Sequence, residues 1–191
     1  MIKIRYVPIP GSNIGALAKF FDRMSVQFEE LLDYGIKDSF ILIPGVGNCR
    51  HHLDVLAERG FTAAFFESNK LITICAGFQI MCQFVEESQS DGLGLLDYDV
   101  LKLSSDTQSM SINTGFKEAS DGNRYFFNHS FGVFVDGVER QGVFTSTFGP
   151  QKIISHVVTE NGLHCQFHPE LSGECGVTLI KNFLNIGSNN G

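Results

Sequence analysis

Two groups of residues, far apart in the sequence, together contain the parts of a nucleophilic catalyst. Cys75 follows the apolar run at residues 71–74 and precedes a stretch of helical character. A strand, a sharp turn and a helix are therefore predicted, with a thiol at the tip of the turn. His168 and Glu170 stand two residues apart near the other end of the chain. Because a thiol, an imidazole and a carboxylate can act as nucleophile, base and orienting acid, the pattern predicts covalent catalysis by these three residues.

The spacing of the histidine and the glutamate favours this assignment. In an extended segment His168 and Glu170 project to the same side, and Pro169 biases the backbone of His168 toward the extended region. One ring nitrogen can then face the thiol while Glu170 binds the other and fixes the tautomer.

Backbone amides at two turns could stabilise an oxyanion on the reacting carbon. A helix predicted over residues 76–85 begins directly after the thiol, and first-turn amides such as that of Ala76 have no helical partner. Gly45, Val46 and Gly47 follow Pro44 at the end of another apolar run, and two glycines allow a loop to approach a substrate closely. This loop is a candidate for the second oxyanion donor.

Apolar strands that alternate with helices would bring these groups together. Such strands, followed by helices, imply a parallel sheet covered on both faces, and ligands bind at the carboxyl ends of its strands, where Cys75 would lie. Ser12 or Asn13 can cap the first helix. The predicted strands of this part are residues 3–7, 40–43 and 71–74, and the predicted helices are one with Ile14, Leu17, Ala18 and Phe21 on its apolar face and one over residues 48–59.

The later half of the chain has a different pattern. Short apolar segments separated by Gly, Asn and Asp predict an antiparallel extension, and a last helix is predicted over residues 176–185. The chain is thus expected to be α/β with a mixed sheet. The predicted short strands are residues 98–103, 125–127, 133–135, 142–148, 153–158 and 163–167.

Composition narrows the class of protein. The 191 residues fit one domain, 1–191. A net charge of −7 without a Lys/Arg cluster argues against nucleic acid and against an anionic membrane surface. No apolar run approaches the roughly 20 residues of a transmembrane helix, and the N-terminus lacks the apolar core of a signal peptide. Five cysteines, an odd number without framework spacing, fit free thiols, so a cytoplasmic protein is expected.

Other histidines and cysteines are expected to be structural. His164, Cys165, His168 and Cys175 have no C-x-x-C spacing, so no metal site and no cofactor is predicted. Cys82 is expected to pack within the helix after Cys75. Cys49, His51 and His52 are expected to form a solvated helix start.

Several motifs together resemble one enzyme family. The chain is similar to the class I (triad) glutamine amidotransferases and, within them, to the glutaminase subunits of imidazole glycerol phosphate synthases. The resemblance runs through most of the chain and implies a flavodoxin-like three-layer sandwich with a mostly parallel central sheet and a C-terminal antiparallel extension. The matching segments are PGVG at 44–47, CAGFQ at 75–79, GLGL at 92–95, NHSF at 128–131 and QFHPE at 166–170.

The resemblance implies a reaction. Cys75 would attack the side-chain amide of L-glutamine and form a γ-glutamyl thioester, while His168 would pass the thiol proton to the leaving ammonia. Water would then release glutamate. The resemblance also implies that Gln79, the Gly45–Gly47 loop and the segment His129, Ser130 and Phe131 hold the substrate.

The resemblance further implies a partner. Ammonia would pass to a cyclase-type synthase subunit in a heterodimer, since no second domain is predicted here. The acceptor would belong to histidine biosynthesis or, in a paralogue, be a sugar of a surface polysaccharide. Thr73 and the segment 113–117 depart from the family's usual glycine and H-M-G-W-N. A stand-alone γ-glutamyl hydrolase and a non-catalytic binding module are the alternatives.

Overall fold

A seven-stranded sheet with helices packed on it organises the molecule, and smaller sheets lie beside it. The structure, a computed structural model, describes residues 2–32, 35–104, 112–135 and 140–186. Its elements are β1 (Lys3–Tyr6), α1 (Ile14–Asp22), β2 (Gln27–Glu30), β3 (Phe40–Ile43), α2 (Cys49–Glu58), α3 (Ala63–Glu67), β4 (Lys70–Ile74), α4 (Ala76–Gln79), β5 (Cys82–Val85), β6 (Ser90–Asp91), β7 (Leu96–Lys102), β8 (Asn113–Glu118), β9 (Arg124–His129), β10 (Phe131–Gly132), β11 (Val143–Phe148), β12 (Gln151–Val158), β13 (Gly162–Cys165), a 3-10 turn (Pro169–Leu171) and α5 (Gly173–Phe183).

The central sheet is mostly parallel, with an antiparallel extension from the C-terminal half. Its strand order is β11-β12-β13-β4-β3-β1-β2. The strands from β13 to β2 pair in parallel, whereas β12 pairs antiparallel with both β13 and β11. The predicted α/β fold with a mixed, mostly parallel sheet is confirmed.

The strands alternate their side chains between two hydrophobic cores. In β3, Ile41 and Ile43 pack into one cluster of buried residues and Leu42 into another. Since side chains of a strand alternate between its faces, both faces of the sheet are covered. The continuous apolar character of β3 and β4 follows from this double burial.

The first helix confirms a predicted cap and corrects a predicted face. The side chain of Asn13 accepts a hydrogen bond from the amide of Ala16 and caps α1. Leu17 and Phe21 are buried as predicted, but Ala18 is exposed and Phe20 takes the core position. The larger ring removes more apolar surface from water than a methyl group.

The predicted helix over residues 76–85 is wrong. The helix after Cys75 ends at Gln79, and residues 82–85 form β5, so Cys82 is buried in a strand rather than in a helix. β5 pairs with β7, which comes later in the chain. Gly92 packs so closely on the carbonyl groups of Ile80 and Cys82 that no side chain fits there. These non-local contacts override the local helical pattern.

The later strands do not all extend the central sheet. β5, β6, β7 and β10 form a four-stranded sheet, and β8 and β9 form an antiparallel hairpin. β8, β2 and α3 were not predicted. The strand predicted at residues 133–135 is displaced to β10, with only Phe134 making an isolated bridge. No helix among the described residues is both long and apolar enough to span a bilayer.

Candidate active site

Cys75 lies on a strained turn at the carboxyl end of β4. Its backbone has φ 50° and ψ −112°, a region that residues other than glycine rarely adopt. The turn is anchored on both sides, since the amide of Cys75 donates to the carbonyl of Cys165 at 2.7 Å and the amide of Gln79 donates to the carbonyl of Cys75 at 3.0 Å. Only 8% of Cys75 is exposed. The predicted elbow is present, and it ends in a helix of four residues.

Two glycines allow the candidate oxyanion loop to lie against this elbow. A Cβ at Gly45 would collide with the carbonyl of Ile74 and would lie within 2.6 Å of the amide nitrogens of Ala76 and Gly77. A Cβ at Gly77 would collide with the carbonyl of Ile43. The ends of β3 and β4 therefore touch backbone to backbone, and this contact requires glycine on both sides.

His168 and Glu170 are brought together by a turn rather than by a strand. His168 is extended, as Pro169 was expected to make it, but residues 169–171 form the 3-10 turn. The prediction of a fully extended segment is therefore wrong at Glu170. Nevertheless Oε1 of Glu170 lies 2.9 Å from Nδ1 of His168, and both side chains are largely buried. The carboxylate thus directs the other ring nitrogen, Nε2, toward the elbow.

Neighbouring strands hold His168 in this position. The amide of His168 donates to the carbonyl of Phe126 in β9 at 2.9 Å. The hydroxyl of Ser172 donates to the carbonyl of His168 at 2.6 Å and accepts from the amide of Phe126 at 2.9 Å. His168 is therefore tied to the β8–β9 hairpin and to the start of α5.

The surroundings of His168 favour its protonated form. Burial alone would lower its pKa, but hydrogen bonds to Cys75 and Glu170 and the charges of both groups raise the pKa of His168 to about 10. A positively charged imidazole beside a sulfur is the arrangement that makes a thiolate nucleophile available.

A second side chain of the QFHPE segment reaches the sulfur. Nε2 of Gln166 lies 3.9 Å from Sγ of Cys75, and the carbonyl of Asn128 lies 3.8 Å from the same sulfur. Gln166 is held in turn by Gln79, whose Nε2 donates to Oε1 of Gln166 at 3.1 Å and to the carbonyl of Phe131 at 2.7 Å. The amide group of Gln79, expected to hold the substrate, is thus engaged with the protein.

The segment from His129 to Phe131 is fixed by a neutral imidazole. Burial lowers the pKa of His129 to about 4. Nδ1 of His129 donates to the carbonyl of Phe131 at 2.7 Å, and Nε2 accepts from Nδ2 of Asn113 at 2.9 Å. The side chain of His129 therefore orients the segment, and Ser130 and Phe131 face the cavity next to it.

The sequence-predicted residues converge on one cavity of about 570 Å³. It contains the candidate nucleophile, the candidate base, the glycine loop and the 129–131 segment. A larger cavity of about 670 Å³, beside α1 and β2, is lined by no cysteine or histidine among the described residues. The site cavity is lined by Gly45, Val46, Gly47, Cys75, Ala76, Gln79, His129, Ser130, Phe131, His168 and Glu170, together with Asn13, Asn48, Glu87, Ile112, Asn128 and Leu171.

Glu87 is the charged residue among the lining residues that the sequence analysis did not select. Its Oε2 accepts a hydrogen bond from the amide of Cys49 at 2.8 Å, at the first turn of α2. The sequence gives no local signal for this contact, because Glu87 follows β5, which was predicted as helix. Gln166, by contrast, precedes the Phe-His-Pro-Glu segment and could have been selected on that ground.

The expectation of a solvated start for α2 is wrong at two of its three residues. Cys49 and His52 are fully buried, and only His51 is exposed. Burial and the nearby Glu87 raise the pKa of the Cys49 thiol, which donates to Oε1 of Gln79 at 3.2 Å. The described part of the chain holds no group of three or more His, Cys, Asp or Glu side chains suited to a metal ion.

Comparison with known proteins finds a family model and relatives that agree with each other. The family model described as glutamine amidotransferase class-I matches residues 20–186. A protein of Bacteroides fragilis (strain YCH46) named imidazole glycerol phosphate synthase subunit HisH is 32% identical over 203 residues, covering 97% of this chain and all of the relative. A protein of the same name from Chlorobium luteolum is 31% identical over 160 residues, covering 75% and 79%.

Solved structures share the fold at low sequence identity. A crystal structure of a glutamine amidotransferase has a TM-score of 0.69 at 18% identity, covering 97% of this chain and 98% of the other. A chain in the structure of PurLQS from Thermotoga maritima has a TM-score of 0.61 at 20% identity, covering 96% of this chain and 98% of the other. These similarities support the flavodoxin-like arrangement of the sheet and helices.

Proposed function

Because the chain belongs to the class I glutamine amidotransferase family, we propose that residues 1–191 form a single glutaminase domain, the ammonia-producing subunit of a two-chain amidotransferase. The observation that carries this proposal is the alignment of Glu170, His168 and Cys75 at the strained end of β4, inside a cavity large enough for an amino acid. The relatives that match nearly the whole chain are named as subunits of a synthase, which is the basis for a separate partner chain.

In the proposed reaction, the sulfur of Cys75 attacks the side-chain amide carbon of L-glutamine. The C–N bond of the tetrahedral intermediate breaks, and His168 gives its proton to the departing nitrogen, which leaves as ammonia. The backbone amide of Ala76 and an amide of the Gly45–Gly47 loop would bind the oxyanion. Water, deprotonated by His168, then attacks the thioester and releases glutamate and the thiolate. No cofactor or metal takes part in these steps.

Glu87 gives the cavity a charge that suits the other end of an amino acid. Its carboxylate lines the site at the first turn of α2. A carboxylate there can pair with the α-ammonium group of glutamine. Such a contact would align the side-chain amide with Cys75, and it would disfavour amides that lack a free α-ammonium.

Exposed apolar side chains on the cavity lining and on the adjoining β8–β9 hairpin support a partner that docks there. Ile112 and Leu171 line the cavity and are 40% and 45% exposed, and Phe116 is 50% exposed beside Phe126, with 5.5 Å between the ring centroids. We call these four residues the apolar rim. Exposed apolar side chains grouped around a cavity are typical of protein contacts. A synthase subunit seated on the rim would receive ammonia shielded from bulk water.

The identity of that synthase is proposed from the relatives. A cyclase-type subunit of imidazole glycerol phosphate synthase, in histidine biosynthesis, is the first candidate partner, because relatives named as the HisH subunit of that synthase match almost the full chain. A paralogue that aminates a surface-polysaccharide sugar is the second. The segment 113–117, which differs from the family's usual sequence, contributes Phe116 to the apolar rim.

Glutamine hydrolysis by the purified chain, alone and with the synthase encoded nearest to it, tests this function. We expect low glutamate production alone and a strong increase with the partner. Cys75→Ser should abolish hydrolysis but leave the partner's synthesis from added ammonium intact. High activity alone that the partner does not change would favour a stand-alone hydrolase. A Cys75 that a glutamine-analogue alkylator does not label, even with the partner present, would favour a binding module.

A further inference from the structure

A buried histidine in α2 contacts the loop that carries the candidate oxyanion donors. His52 is fully buried, although it lies in a helix whose neighbouring His51 is exposed. Nε2 of His52 lies 3.1 Å from the carbonyl oxygen of Pro44, and Nδ1 lies 3.1 Å from the carbonyl oxygen of Asn48. The ring is thus wedged between the first turn of α2 and the residue at which the glycine loop begins.

The two carbonyl groups differ in the hydrogen bonds that they accept from the backbone. The carbonyl of Asn48 already accepts the helical hydrogen bond from the amide of His52, at 3.4 Å. The carbonyl of Pro44 lies past the end of β3, outside the sheet. Burial lowers the pKa of His52 and so favours the neutral ring, which carries one N–H. The buried Pro44 carbonyl gains most from that proton, which assigns it to Nε2.

We propose that His52 is a positioning residue that fixes the Gly45–Gly47 loop for catalysis by binding the carbonyl of Pro44. The carbonyl of Pro44 and the amide of Gly45 belong to one planar, trans peptide group. Holding the oxygen on the α2 side therefore directs the N–H of Gly45 to the opposite side. The Cα of Gly45 also packs against the elbow backbone, so this peptide is held from both sides.

The inference rests on the proposed function for its catalytic consequence but not for its structural content. A fixed peptide at the start of the loop sets where the following amides can point. Oxyanion donors act only when they are aligned in advance, and loss of one donor typically costs about 10²–10³ in kcat. A loop released from His52 is expected to lose part of that factor, with little change in substrate binding.

Three variants separate the hydrogen bond from packing. His52→Gln places an amide donor near the position of Nε2, and His52→Leu fills similar space without a donor. His51→Ala, on the exposed neighbour, is the matched control. With glutamine and the partner subunit, His52→Leu should lower kcat roughly 10-fold or more with KM within about 3-fold, since misplacement rather than loss of a donor is involved. His52→Gln should recover most of kcat, and His51→Ala should behave like the wild type.

Nitrogen-15 NMR of the wild-type histidines tests the contact without any variant or activity. Long-range couplings should show His52 as the Nε2–H tautomer with a slowly exchanging ring proton. An Nδ1–H tautomer, or a folded His52→Leu protein with wild-type kcat, would overturn the inference. If His52→Leu does not fold, the NMR result decides. A wild-type chain inactive with its partner would refute the glutaminase function while leaving the tautomer measurement valid.

Discussion

The carboxylate of Glu170 is placed to act on the thiol of Cys75 through the imidazole of His168. Oε1 of Glu170 binds Nδ1 of His168 at 2.9 Å, and Oε2 has no hydrogen-bond partner within the described residues. The carboxylate is therefore placed to fix the tautomer of the ring and to stabilise a protonated imidazole.

Glu170→Gln tests this role at the scale of one residue. The amide keeps the shape but removes the charge, and its NH2 group can favour the wrong tautomer of His168. We expect kcat for glutamine hydrolysis to fall by roughly 10²–10⁴-fold, the range typical of general acid–base catalysis. KM should change much less. Wild-type kcat in steady-state assays with the partner would exclude a catalytic part for the carboxylate.

The protonation of His168 also predicts how stability depends on pH. Burial opposes the charge, but hydrogen bonds to Cys75 and Glu170 raise the folded pKa of His168 to about 10, whereas a histidine in an unfolded chain titrates near ~6.5. The stabilisation that a raised folded pKa gives is complete below the unfolded pKa. It is lost as pH rises through the folded pKa.

Urea unfolding of wild type and His168→Asn between pH 6 and pH 10 measures this contribution. We expect the wild type to exceed the variant in unfolding free energy most at the acid end, and the difference to shrink as pH approaches the folded pKa of about 10. A difference that is constant over the range would show that His168 acts through packing alone.

At the scale of elements, the reaction centre depends on how closely β3 and β4 end beside each other. Gly45, in the loop after β3, packs against the backbone of the elbow. Gly77, in the elbow, packs against the backbone of Ile43. Each contact is made by backbone atoms, which cannot move aside as a flexible side chain can. The two turns therefore form one rigid unit that holds Cys75 and the candidate oxyanion amides together.

Gly45→Ala should separate these two turns. The added methyl group would overlap the carbonyl of Ile74, so the loop or the elbow must shift. We expect glutamine hydrolysis to fall by roughly 10²-fold or more, because small misplacements of catalytic groups have effects of that size. Thermal unfolding should also occur at lower temperature.

Gly15→Ala is the matched control for that variant. Gly15 lies in α1 with open space around its Cα, and alanine in a helix is favoured over glycine by about 0.5–1 kcal/mol. This variant should keep full activity and unfold at an equal or higher temperature. Equal behaviour of both alanine variants would contradict the requirement for glycine at position 45.

Local sequence signals predicted those elements whose apolar run or helix cap lies within the element itself. β3, β4 and α2 are apolar runs or capped helices, and they were found close to their true bounds. The helix at residues 76–85 failed because β5 forms through pairing with β7 and through the close approach of Gly92. Glu87 follows that strand closely in the chain and lines the cavity. Its place could not be read from a single sequence, since it depends on contacts distant along the chain.

The candidate catalytic groups were easier to select from the sequence than the contacts that hold them. Cys75, His168 and Glu170 are chemically distinctive and stand in recognisable spacing, whereas Gln166, Ser172 and the buried ring of His52 act through partners that only the fold brings near. A histidine near the start of a helix is expected to be solvated. Only the packing of α2 shows that His52 is buried.

At the scale of the whole molecule, the arrangement of sheets leaves the catalytic cavity open beside an apolar surface. The β8–β9 hairpin lies outside the central sheet, and its side chains Phe116 and Phe126 pack edge to face. The same hairpin holds His168 through the carbonyl of Phe126. A partner that presses on the apolar rim would therefore also contact the element that positions the base.

Phe116→Asp tests whether a synthase docks on this rim. Phe116 does not line the cavity, so the variant should hydrolyse glutamine like the wild type when assayed alone. A charge in the centre of an apolar contact is costly to desolvate, and removal of a central aromatic residue typically costs about 2 kcal/mol or more of binding energy. We therefore expect roughly 30-fold weaker binding of the synthase by titration calorimetry, since each 1.4 kcal/mol is a factor of ten.

Leu101→Asp, an exposed position on β7 in the separate four-stranded sheet, should bind normally. Unchanged affinity of the Phe116 variant, or an equal loss in both variants, would remove the hairpin from the interface and require ammonia to leave the cavity by another face.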